Sequence, residues 1–576
     1  MTSLSRRQFA RLSGAAGTAL FGGAASANQG ARPQPPGARL PNIVLLMADQ
    51  FRFDGFAASG SKHMRTPHLD RLAREGCIFS TAHSPTPVSM AARHSLITGL
   101  TSQYHGQTGN IEQPIKDYRL PTLPRVLRQL GYATGAVGKM HFYPRREHHG
   151  FDEMHLMEEL PDYREEDAYL RFLQQHGKGE VRHIHGVRPL LYHCPQRALV
   201  PEELHGSSFV ATRAIEFIRE NRSRPFFLFA SWIHPHPPFN IPETFRNHYR
   251  DVDVPKPIPR TRHFPFVESP SPWCGDNDSW EVLRRIRESY YSAISLVDKN
   301  VGRVLDYLDS ASLAQNTLVI FTSDHGEMLA DRGFYQKALP YDSAARIPLI
   351  VRCPGRIAPG TKRGCYADLL DIFPTMLDLT GHTGKIQLLG NSLFDLYSGA
   401  RNKQYQFCDW SNGRARWVMV RDQRYKYVYW YNGGTEELYD MQNDPRELRD
   451  LIRLGEAPKG TRDELRRTCI QLEAERGPEG KIKNGDFTLF PAAQFHPEMF
   501  GKFPLWANLQ WPHWGDLAPA REREIMLQEV RSVCVGEPTV PPLNQVFDNQ
   551  EWRERWKKRW MELGGSDDAY KEIFKL

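Results

Sequence analysis

The chain has 576 residues, of which 40% are hydrophobic and 24% are charged. This ordinary globular composition excludes a wholly disordered, collagen-like or repeat protein, and the length indicates roughly two to four domains. The 74 Lys and Arg residues exceed the 67 Asp and Glu residues by a formal net charge of +7, a weak bias that does not indicate nucleic-acid binding.

The N-terminus has the features of an export signal. A twin-arginine pattern at Arg6-Arg7 precedes a weakly apolar stretch, and the small residues Ala25-Ser26-Ala27 follow as a cleavage site. We predict a twin-arginine signal peptide over residues 1–27, read by the Tat export machinery, and a flexible leader over 28–40. The alternative is a disordered basic terminus. No later apolar run has the roughly 20 residues of a membrane span, so a periplasmic or secreted protein without a membrane span is expected.

Residues from 41 to about 398 alternate between apolar runs of strand length and segments of helical periodicity. The first run, NIVLLMA at Asn42–Ala48, is continuously apolar, as in a strand buried on both faces. The further predicted strands are 132–137, 225–232, 317–322 and 348–352, and the predicted helices are 68–75, 123–130, 207–220 and 279–309. Strands that alternate with helices predict an α/β fold with a mostly parallel sheet sandwiched by helices.

Around residue 400 the pattern changes. Residues 417–431 alternate apolar with charged side chains, which is typical of antiparallel strands with one face in water. We predict a smaller α+β subdomain with an antiparallel sheet, to about residue 475. The rest is rich in Trp, Pro and Phe, ends in a charged amphipathic helix at 550–563, and either wraps the body or contacts a neighbouring subunit.

The eight cysteines are scattered along the chain. None has the C-x-x-C spacing of a zinc site, so a zinc cage is not expected. One or two disulfides are compatible with this number of cysteines, but the sequence does not pair them.

Polar side chains follow three of the predicted strands: Asp49 and Gln50, His234 and His236, and Asp324 and His325. The carboxyl ends of parallel strands meet at one edge of a sheet, where ligands bind, so these side chains are expected to lie close together. Carboxylate and amide oxygens without a thiolate suit a hard divalent cation, Ca²⁺ or Mg²⁺ first and Mn²⁺ next. Each residue taken alone is more often a helix cap or a turn residue.

A candidate nucleophile is Ser89, in the stretch SPTPVSMAAR before a predicted helix at 94–98. A helix N-terminus offers free N–H groups and a positive dipole, which favour an anionic nucleophile and an anionic substrate. Arg93 follows one turn later and is placed to bind an oxyanion with two hydrogen bonds. On the local pattern alone, a plain helix N-cap is the more frequent role of such a serine.

Seven stretches of the chain, from about residue 41 to 452, occur in the order known from one enzyme family: PNIVLLMADQFRFDGF, TPHLDRLAREG, SPTPVSMAARHSLITG, GYATGAVGKMHF, FFLFASWIHPHPPF, TSDHGEMLADRGFYQKALPYDSAARIPLIV and EELYDMQNDPREL. On these motifs the chain resembles the type I sulfatase family, part of the alkaline phosphatase superfamily. Any one stretch would be weak evidence, but the ordered set is highly specific. The resemblance implies an alkaline-phosphatase-like fold and an exported hydrolase that cleaves sulfate monoesters.

The resemblance also implies roles for individual residues. The family converts a Cys or Ser in C/S-x-P/A-x-R into formylglycine, whose hydrate attacks sulfur. Here that residue is Ser89, as in the serine subtype, which depends on a radical formylglycine-generating maturase. The implied ligands of one divalent cation, with Ca²⁺ favoured over Mg²⁺ and Mn²⁺, are Asp49, Gln50, Ser89, Asp324 and His325. Gln50 and His325 replace the more familiar Asp and Asn.

The implied catalytic residues are Ser89, Arg93, Lys139, His141, His236 and Lys337. Arg93 would hold the formylglycine hydrate and Lys139 the sulfate, and His141 would be the base that expels sulfate. His236 and Lys337 would bind sulfate oxygens and help to protonate the leaving alcohol. His234 is left out of the catalytic set.

The resemblance predicts a catalytic domain over 41–398, an α+β subdomain over 399–475 and a C-terminal extension over 476–576. The expected substrate is a sulfated small molecule or saccharide. Two alternatives stay open. One is a phosphodiester or phosphonate monoester hydrolase of the same superfamily that uses unmodified Ser89, and the other is a catalytically silent, carbohydrate-binding relative.

The walls of the substrate pocket are expected in segments 182–197 and 255–273. The first contains a basic cluster that suits an anionic polysaccharide, although a solvated surface loop is the favoured interpretation: Arg182, His183, His185 and Arg188. In the C-terminal extension, Trp506, Trp511 and Trp514 offer a platform for a sugar, but packing against the body is favoured.

Overall fold

The computed structural model describes residues 40–110, 113–117, 119–161, 166–192, 194–260, 279–382, 384–412, 415–492, 519–538 and 567. The predicted signal peptide, the leader up to residue 39, the helix at 550–563, the three tryptophans of the extension and most of segment 255–273 lie outside these residues. Within the described ranges, no helix combines the length and the apolar character that a membrane crossing requires.

The described residues form sixteen strands and twelve α-helices. The strands are β1 (Asn42–Asp49), β2 (Cys77–His83), β3 (Ala133–Gly138), β4 (Glu153–Leu156), β5 (Gln196–Arg197), β6 (Phe226–Pro235), β7 (Asn240–Ile241), β8 (Thr317–Ser323), β9 (Leu349–Arg352), β10 (Thr361–Asp368), β11 (Gln406–Asn412), β12 (Ala415–Arg421), β13 (Tyr425–Trp430), β14 (Thr435–Asp440), β15 (Ile482–Lys483) and β16 (Asp486–Phe487). The helices are α1 (Pro67–Glu75), α2 (Ser89–Thr98), α3 (Ser102–His105), α4 (Leu123–Gln129), α5 (Ala168–Gln175), α6 (Gly206–Asn221), α7 (Trp280–Ser310), α8 (Asp342–Ala345), α9 (Ile372–Thr380), α10 (Leu393–Ser398), α11 (Lys459–Arg476) and α12 (Pro519–Val533).

The main sheet has eight strands in the order β10-β2-β9-β8-β1-β6-β3-β4. Every pairing in it is parallel except those of β9, which runs antiparallel to both β2 and β8. This confirms the predicted α/β fold with a mostly parallel sheet. The predicted strand at 348–352 is present as β9, but its direction is reversed relative to its neighbours, which an apolar run of four or five residues does not encode.

Both faces of the main sheet are covered, because alternate residues of β1 pack into separate cores. Val44 and Leu46 belong to one core, to which α1, α6 and α7 contribute. Ile43 and Leu45 belong to the other, to which α2, α4, α9 and α10 contribute. The continuously apolar NIVLLMA run is therefore the consequence of burial on two sides, as predicted.

The second sheet is antiparallel, in the order β11-β12-β13-β14, as predicted for the C-terminal region. The expected face in water is wrong, because every residue of β12 is buried. One face of the sheet packs against residues of the catalytic region such as Val88 and Met328, and the other packs against α11. Two of the charged residues that suggested a wet face are buried in ion pairs instead: Arg421 and Lys426 bind Asp342 at 3.2 and 2.6 Å.

The helix α12 of the C-terminal extension lies against the segment that precedes β5. A disulfide joins Cys194 to Cys534 just after the helix, with 6.2 Å between the Cα atoms. Glu529 of α12 accepts hydrogen bonds from the backbone N–H groups of Arg182 and His183, at 2.9 and 3.0 Å. This part of the extension is thus attached to the chain segment that was expected to form a pocket wall.

Candidate active site

The carboxyl ends of four neighbouring strands, β8, β1, β6 and β3, bring the candidate residues together. Ala48 in β1 lies opposite Ser323 in β8 and Trp232 in β6. Asp49 and Asp324 therefore follow at the same level of the sheet. Gly138 at the end of β3 lies opposite Ser231, so that Lys139 leaves the sheet at the same edge. This is the edge at which parallel α/β sheets bind ligands.

Ser89 is the first residue of α2, at the base of the site. The helix N-cap is Val88, and the Ser89 side chain makes no capping hydrogen bond. Its hydroxyl instead lies 2.8 Å from Nε2 of His325 and 3.4 Å from Oδ1 of Asp49. Ser89 is 0% exposed, so both contacts are in the interior. The N-cap interpretation of Ser89 is thereby wrong, and the helix begins five residues earlier than predicted.

Asp49, Asp324 and His325 form a cluster of metal-ligand type. One ligand atom from each of the three lies within 4.8 Å of those of the other two. Burial raises the pKa of Asp49, but the surrounding cations, foremost Lys139, hold the pKa below its ordinary value. The carboxylates of Asp49 and Asp324 are 0% exposed and ionised. Burying a charge destabilises the folded protein unless a cation balances it. The donor set, two carboxylates and an imidazole beside a hydroxyl, therefore fits a divalent cation.

The backbone around the cluster fixes the direction of its donors. Gln50 and His141 have φ angles of 64° and 51°, a left-handed conformation that costs a residue with a side chain about 1–2 kcal/mol. In this conformation the N–H of Gln50 donates to Oδ1 of Asp324 at 3.1 Å. Nδ1 of His325 lies 2.9 Å from the carbonyl oxygen of Gly326, which places the proton on Nδ1 and leaves the Nε2 lone pair for Ser89 or a cation.

Arg93 and Lys139 place two cations against these carboxylates. Arg93 donates from Nε to Oδ2 of Asp324 at 2.8 Å, and its Nη2 lies 3.5 Å from Oδ2 of Asp49. This Nη2 is buried and has no hydrogen-bond partner among the described residues, so it remains available to a bound anion. Nζ of Lys139 bonds to Oδ2 of Asp49. The site therefore holds an anion-binding group next to a cation-binding group.

His236, Lys337 and His141 complete the set of predicted catalytic residues. Nζ of Lys337 lies 2.8 Å from Nε2 of His236 and donates to Oε1 of Gln50 at 2.7 Å. Burial lowers the pKa of Lys337 below its ordinary value. Burial also lowers the pKa of His141 to about 3, so this imidazole is neutral and can accept a proton. Its Nδ1 is buried, with no hydrogen-bond partner in the described part of the chain.

Sequence comparison places these residues in a known family. The family model described as Sulfatase matches residues 41–382, and a second, described as N-sulphoglucosamine sulphohydrolase, C-terminal, matches residues 330–474. The chain belongs to the sulfatase family. It is thus an enzyme of sulfate ester hydrolysis, and the edge of the sheet described above is the candidate active site of this sulfatase.

Relatives with assigned activities cover most of the sulfatase. An arylsulfatase of Clostridium perfringens is 30% identical over 482 residues, which is 76% of this chain and 95% of that protein. A choline-sulfatase of Rhizobium meliloti is 29% identical over 458 residues, covering 75% and 85% of the two chains. The structure of a phosphonate monoester hydrolase of Agrobacterium radiobacter superimposes with a TM-score of 0.65 at 26% identity, covering 76% and 96% of the two chains.

Glu327 is a buried residue of this sulfatase site that the sequence analysis did not single out. Oε2 of Glu327 accepts a hydrogen bond from the Tyr192 hydroxyl at 2.6 Å and a second from Nε2 of Gln50. Because the amide nitrogen of Gln50 donates to Glu327, the amide oxygen faces the other way and accepts from Nζ of Lys337 at 2.7 Å. The position of Glu327 inside the DHGE stretch, two residues after His325, was the available signal.

The sequence analysis did not name Glu159, and it interpreted Arg188 as part of a solvated loop. The carboxylate of Glu159 accepts from Nζ of Lys139 at 2.6 Å and bonds to Arg188 through its other oxygen. The favoured interpretation of the basic cluster as a solvated loop is wrong, because Arg182 and His185 are buried and the Arg188 side chain is only 13% exposed. The pairing of this segment with α12 and with Glu159 explains the burial.

Proposed function

We propose that the sulfatase is an exported sulfuric ester hydrolase in which Ser89 is converted to formylglycine and acts with one divalent cation, Ca²⁺ in first place. The observation that carries this proposal is the position of Ser89. Its hydroxyl contacts both Asp49 and His325 at the N-terminus of a buried helix. Arg93 lies one turn later on the same helix and binds the carboxylates of the same cluster.

The proposed cation ligands are Asp49, Gln50, Ser89 as formylglycine, Asp324 and His325. When bound, the cation would polarise the ester and stabilise charge on its oxygens, and the hydrated aldehyde would supply the nucleophilic hydroxyl. Ca²⁺ and Mg²⁺ suit the oxygen-rich set, and Mn²⁺ suits its imidazole. The maturation needs a formylglycine-generating enzyme that accepts serine, and the twin-arginine segment makes the periplasm or the exterior the proposed location.

Side chains of the protein would then bind the ester and transfer the protons. Arg93 would bind the group at position 89 through Nη2, which lacks a hydrogen-bond partner in the described residues. Lys139 would bind sulfate oxygens, and the neutral His141 would accept the proton whose removal expels sulfate. Lys337 and His236, 2.8 Å apart, would bind the ester and deliver a proton to the leaving oxygen.

The proposed substrate is a sulfated small molecule or saccharide. The relatives support this range, because they carry the names arylsulfatase and choline-sulfatase. One solved structure that covers 77% of this chain, at 21% identity and a TM-score of 0.64, is a complex with D-glucosamine-2-N,6-O-disulfate. At that identity the likeness concerns the fold, so it does not choose among these substrates.

The proposal is tested by sulfate release from 4-nitrophenyl sulfate, with Ca²⁺ present and with chelator. Ser89→Ala removes the proposed nucleophile and is expected to lower kcat by at least about 1000-fold. The matched control is Ser80→Ala, because the Ser80 hydroxyl bonds a backbone carbonyl, that of Arg363, at 3.2 Å. Equal activity of the two variants would overturn the assignment of Ser89.

A second candidate function is phosphonate monoester or phosphodiester hydrolysis. It is favoured by the phosphonate monoester hydrolase structure of Agrobacterium radiobacter, which superimposes with a TM-score of 0.65 at 26% identity over 76% of the chain. The assay that separates the candidates compares kcat/KM for phenyl phosphonate esters with kcat/KM for aryl sulfates. A clear preference for the phosphonate ester would replace the first proposal.

A further inference from the structure

Glu159 places a carboxylate among the groups that would bind the ester. It follows β4, and its side chain is 9% exposed. One carboxylate oxygen accepts from Nζ of Lys139 at 2.6 Å. The other bonds to Arg188 and lies 3.4 Å from Nδ1 of His236. Lys139 and His236 are both proposed to bind sulfate oxygens, so a fixed negative charge stands one hydrogen bond away from the position of the substrate anion.

This carboxylate reduces the positive charge available to a substrate. Lys139 lies between two carboxylates, those of Glu159 and Asp49, so its single charge is already balanced. Arg93 is opposed in the same way by Asp49 and Asp324. His236 adds no charge, because burial holds its pKa well below the ordinary value. Lys337 hydrogen-bonds to the neutral acceptors Gln50 and His236.

The charge of the substrate then decides how much Glu159 matters. A sulfate monoester carries one negative charge, as does a phosphodiester or a phosphonate monoester. A phosphate monoester carries close to two at neutral pH, since its second pKa is about 6. Repulsion from a fixed carboxylate doubles for the dianion. At a separation of about 5 Å and an effective dielectric constant of about 20, the extra repulsion of the dianion corresponds to at most roughly 300-fold in relative kcat/KM.

We propose that Glu159 is a specificity-determining residue, which makes this site prefer monoanionic esters and disfavour dianionic phosphate monoesters. Arg188 is its counterpart, because it partly neutralises Glu159 and lies on the wall segment 182–197. The inference rests on the proposed function, which places the ester at Lys139 and His236. It goes further by naming the charge that the site selects.

Two variants, each of which removes one charge, test this inference with opposite expected results. The measured quantity is kcat/KM for 4-nitrophenyl phosphate divided by kcat/KM for 4-nitrophenyl sulfate, at pH 8, in metal-loaded enzyme. Glu159→Gln removes the negative charge and is expected to raise the ratio by at least about tenfold. Arg188→Gln leaves Glu159 less neutralised and is expected to lower the ratio.

A merely structural ion pair would give a different pattern. Loss of either partner would then lower kcat/KM for both substrates in parallel, with the ratio unchanged. An unchanged ratio, or a shift in the same direction for the two variants, would overturn the inference. Circular dichroism and the unfolding temperature establish whether each variant is folded before the ratio is measured. One folded variant is sufficient to decide the direction in which the ratio changes.

Failure of the proposed function would be recognised separately. If the unaltered enzyme hydrolyses bis-4-nitrophenyl phosphate but no sulfate ester, sulfate hydrolysis fails as its function. The ratio is then measured with this monoanionic diester in place of the sulfate. If no ester is turned over, calorimetric Kd values for methyl phosphate and methyl sulfate give the same ratio. In each case Glu159→Gln must favour the dianion.

Discussion

Replacing Arg93 by Met is expected to destabilise the metal-free protein much more than the same change at a partly exposed arginine. The guanidinium lies 2.8 Å from a carboxylate oxygen of Asp324 and 3.5 Å from one of Asp49, and all three side chains are 0% exposed. The substitution leaves both carboxylates buried without this partner. Removing one partner of a buried ion pair costs about 3–5 kcal/mol.

The matched control is Arg71→Met. Arg71 is 2.7 Å from Asp306, so the pair is as short as that of Arg93, but the two side chains are 26% and 58% exposed. Exposed pairs contribute about 0–1 kcal/mol. Urea unfolding followed by tryptophan fluorescence, in buffer with chelator, compares the two variants with the unaltered protein. A loss for Arg93→Met no larger than that for Arg71→Met would refute the reasoning.

Two further dependences follow from the same carboxylates. Added Ca²⁺ should reduce the loss of unfolding free energy caused by Arg93→Met, because a cation bound to the native state balances the carboxylate charges that Arg93 balanced. Burial raises the pKa of Asp324, but His325 and Arg93 lower it below its ordinary value of 3.8. A carboxyl with a lowered pKa stabilises the native state above that value and loses this effect as the pH falls. The loss of unfolding free energy in Arg93→Met should therefore be largest near neutral pH and become smaller toward pH 3.

The remaining predictions concern a base, a ligand and a crosslink. Since burial lowers the pKa of His141 to about 3, kcat/KM for a sulfate ester should show no acid limb near pH 6.5; a limb there that is lost in His141→Asn would show that the pKa of His141 is not lowered. Glu327→Ala frees the Gln50 amide and should weaken Ca²⁺ binding by about 10- to 100-fold in calorimetry, whereas an unchanged Kd would show that Glu327 does not position the ligand. Cys534→Ser removes the link to Cys194, which typically contributes about 2–4 kcal/mol. Limited trypsin proteolysis of the C-terminal segment should then be faster, and an equal rate would argue against the crosslink.

The sequence was sufficient for the elements that one local pattern determines. The NIVLLMA run predicted a doubly buried strand, and the polar residues after it predicted a ligand-binding edge, because both follow from the geometry of parallel sheets. Asp49, Asp324 and His325 accordingly lie within reach of a common point. The family motifs added Lys139 and Lys337, for which position along the chain alone gives no role.

The features that the sequence did not predict depend on distant partners. Arg421 and Lys426 belong to the alternating pattern that indicated a wet strand face, yet they are buried because Asp342 from another element neutralises them. Glu159 has no local mark that separates it from an exposed glutamate. Its role depends on Arg188, 29 residues further along the chain, and on Lys139, which follows β3. Charge pairing across elements is therefore the information that the local pattern lacks.

The central claim is that position 89 is formylglycine in the active enzyme. Mass spectrometry of the tryptic peptide Glu75–Arg93, from protein purified from its native host, tests it most directly. We predict a peptide that is lighter than the encoded sequence by two hydrogen atoms and that reacts with hydrazine reagents. An unmodified serine at position 89 in a preparation that hydrolyses sulfate esters would contradict the proposed mechanism.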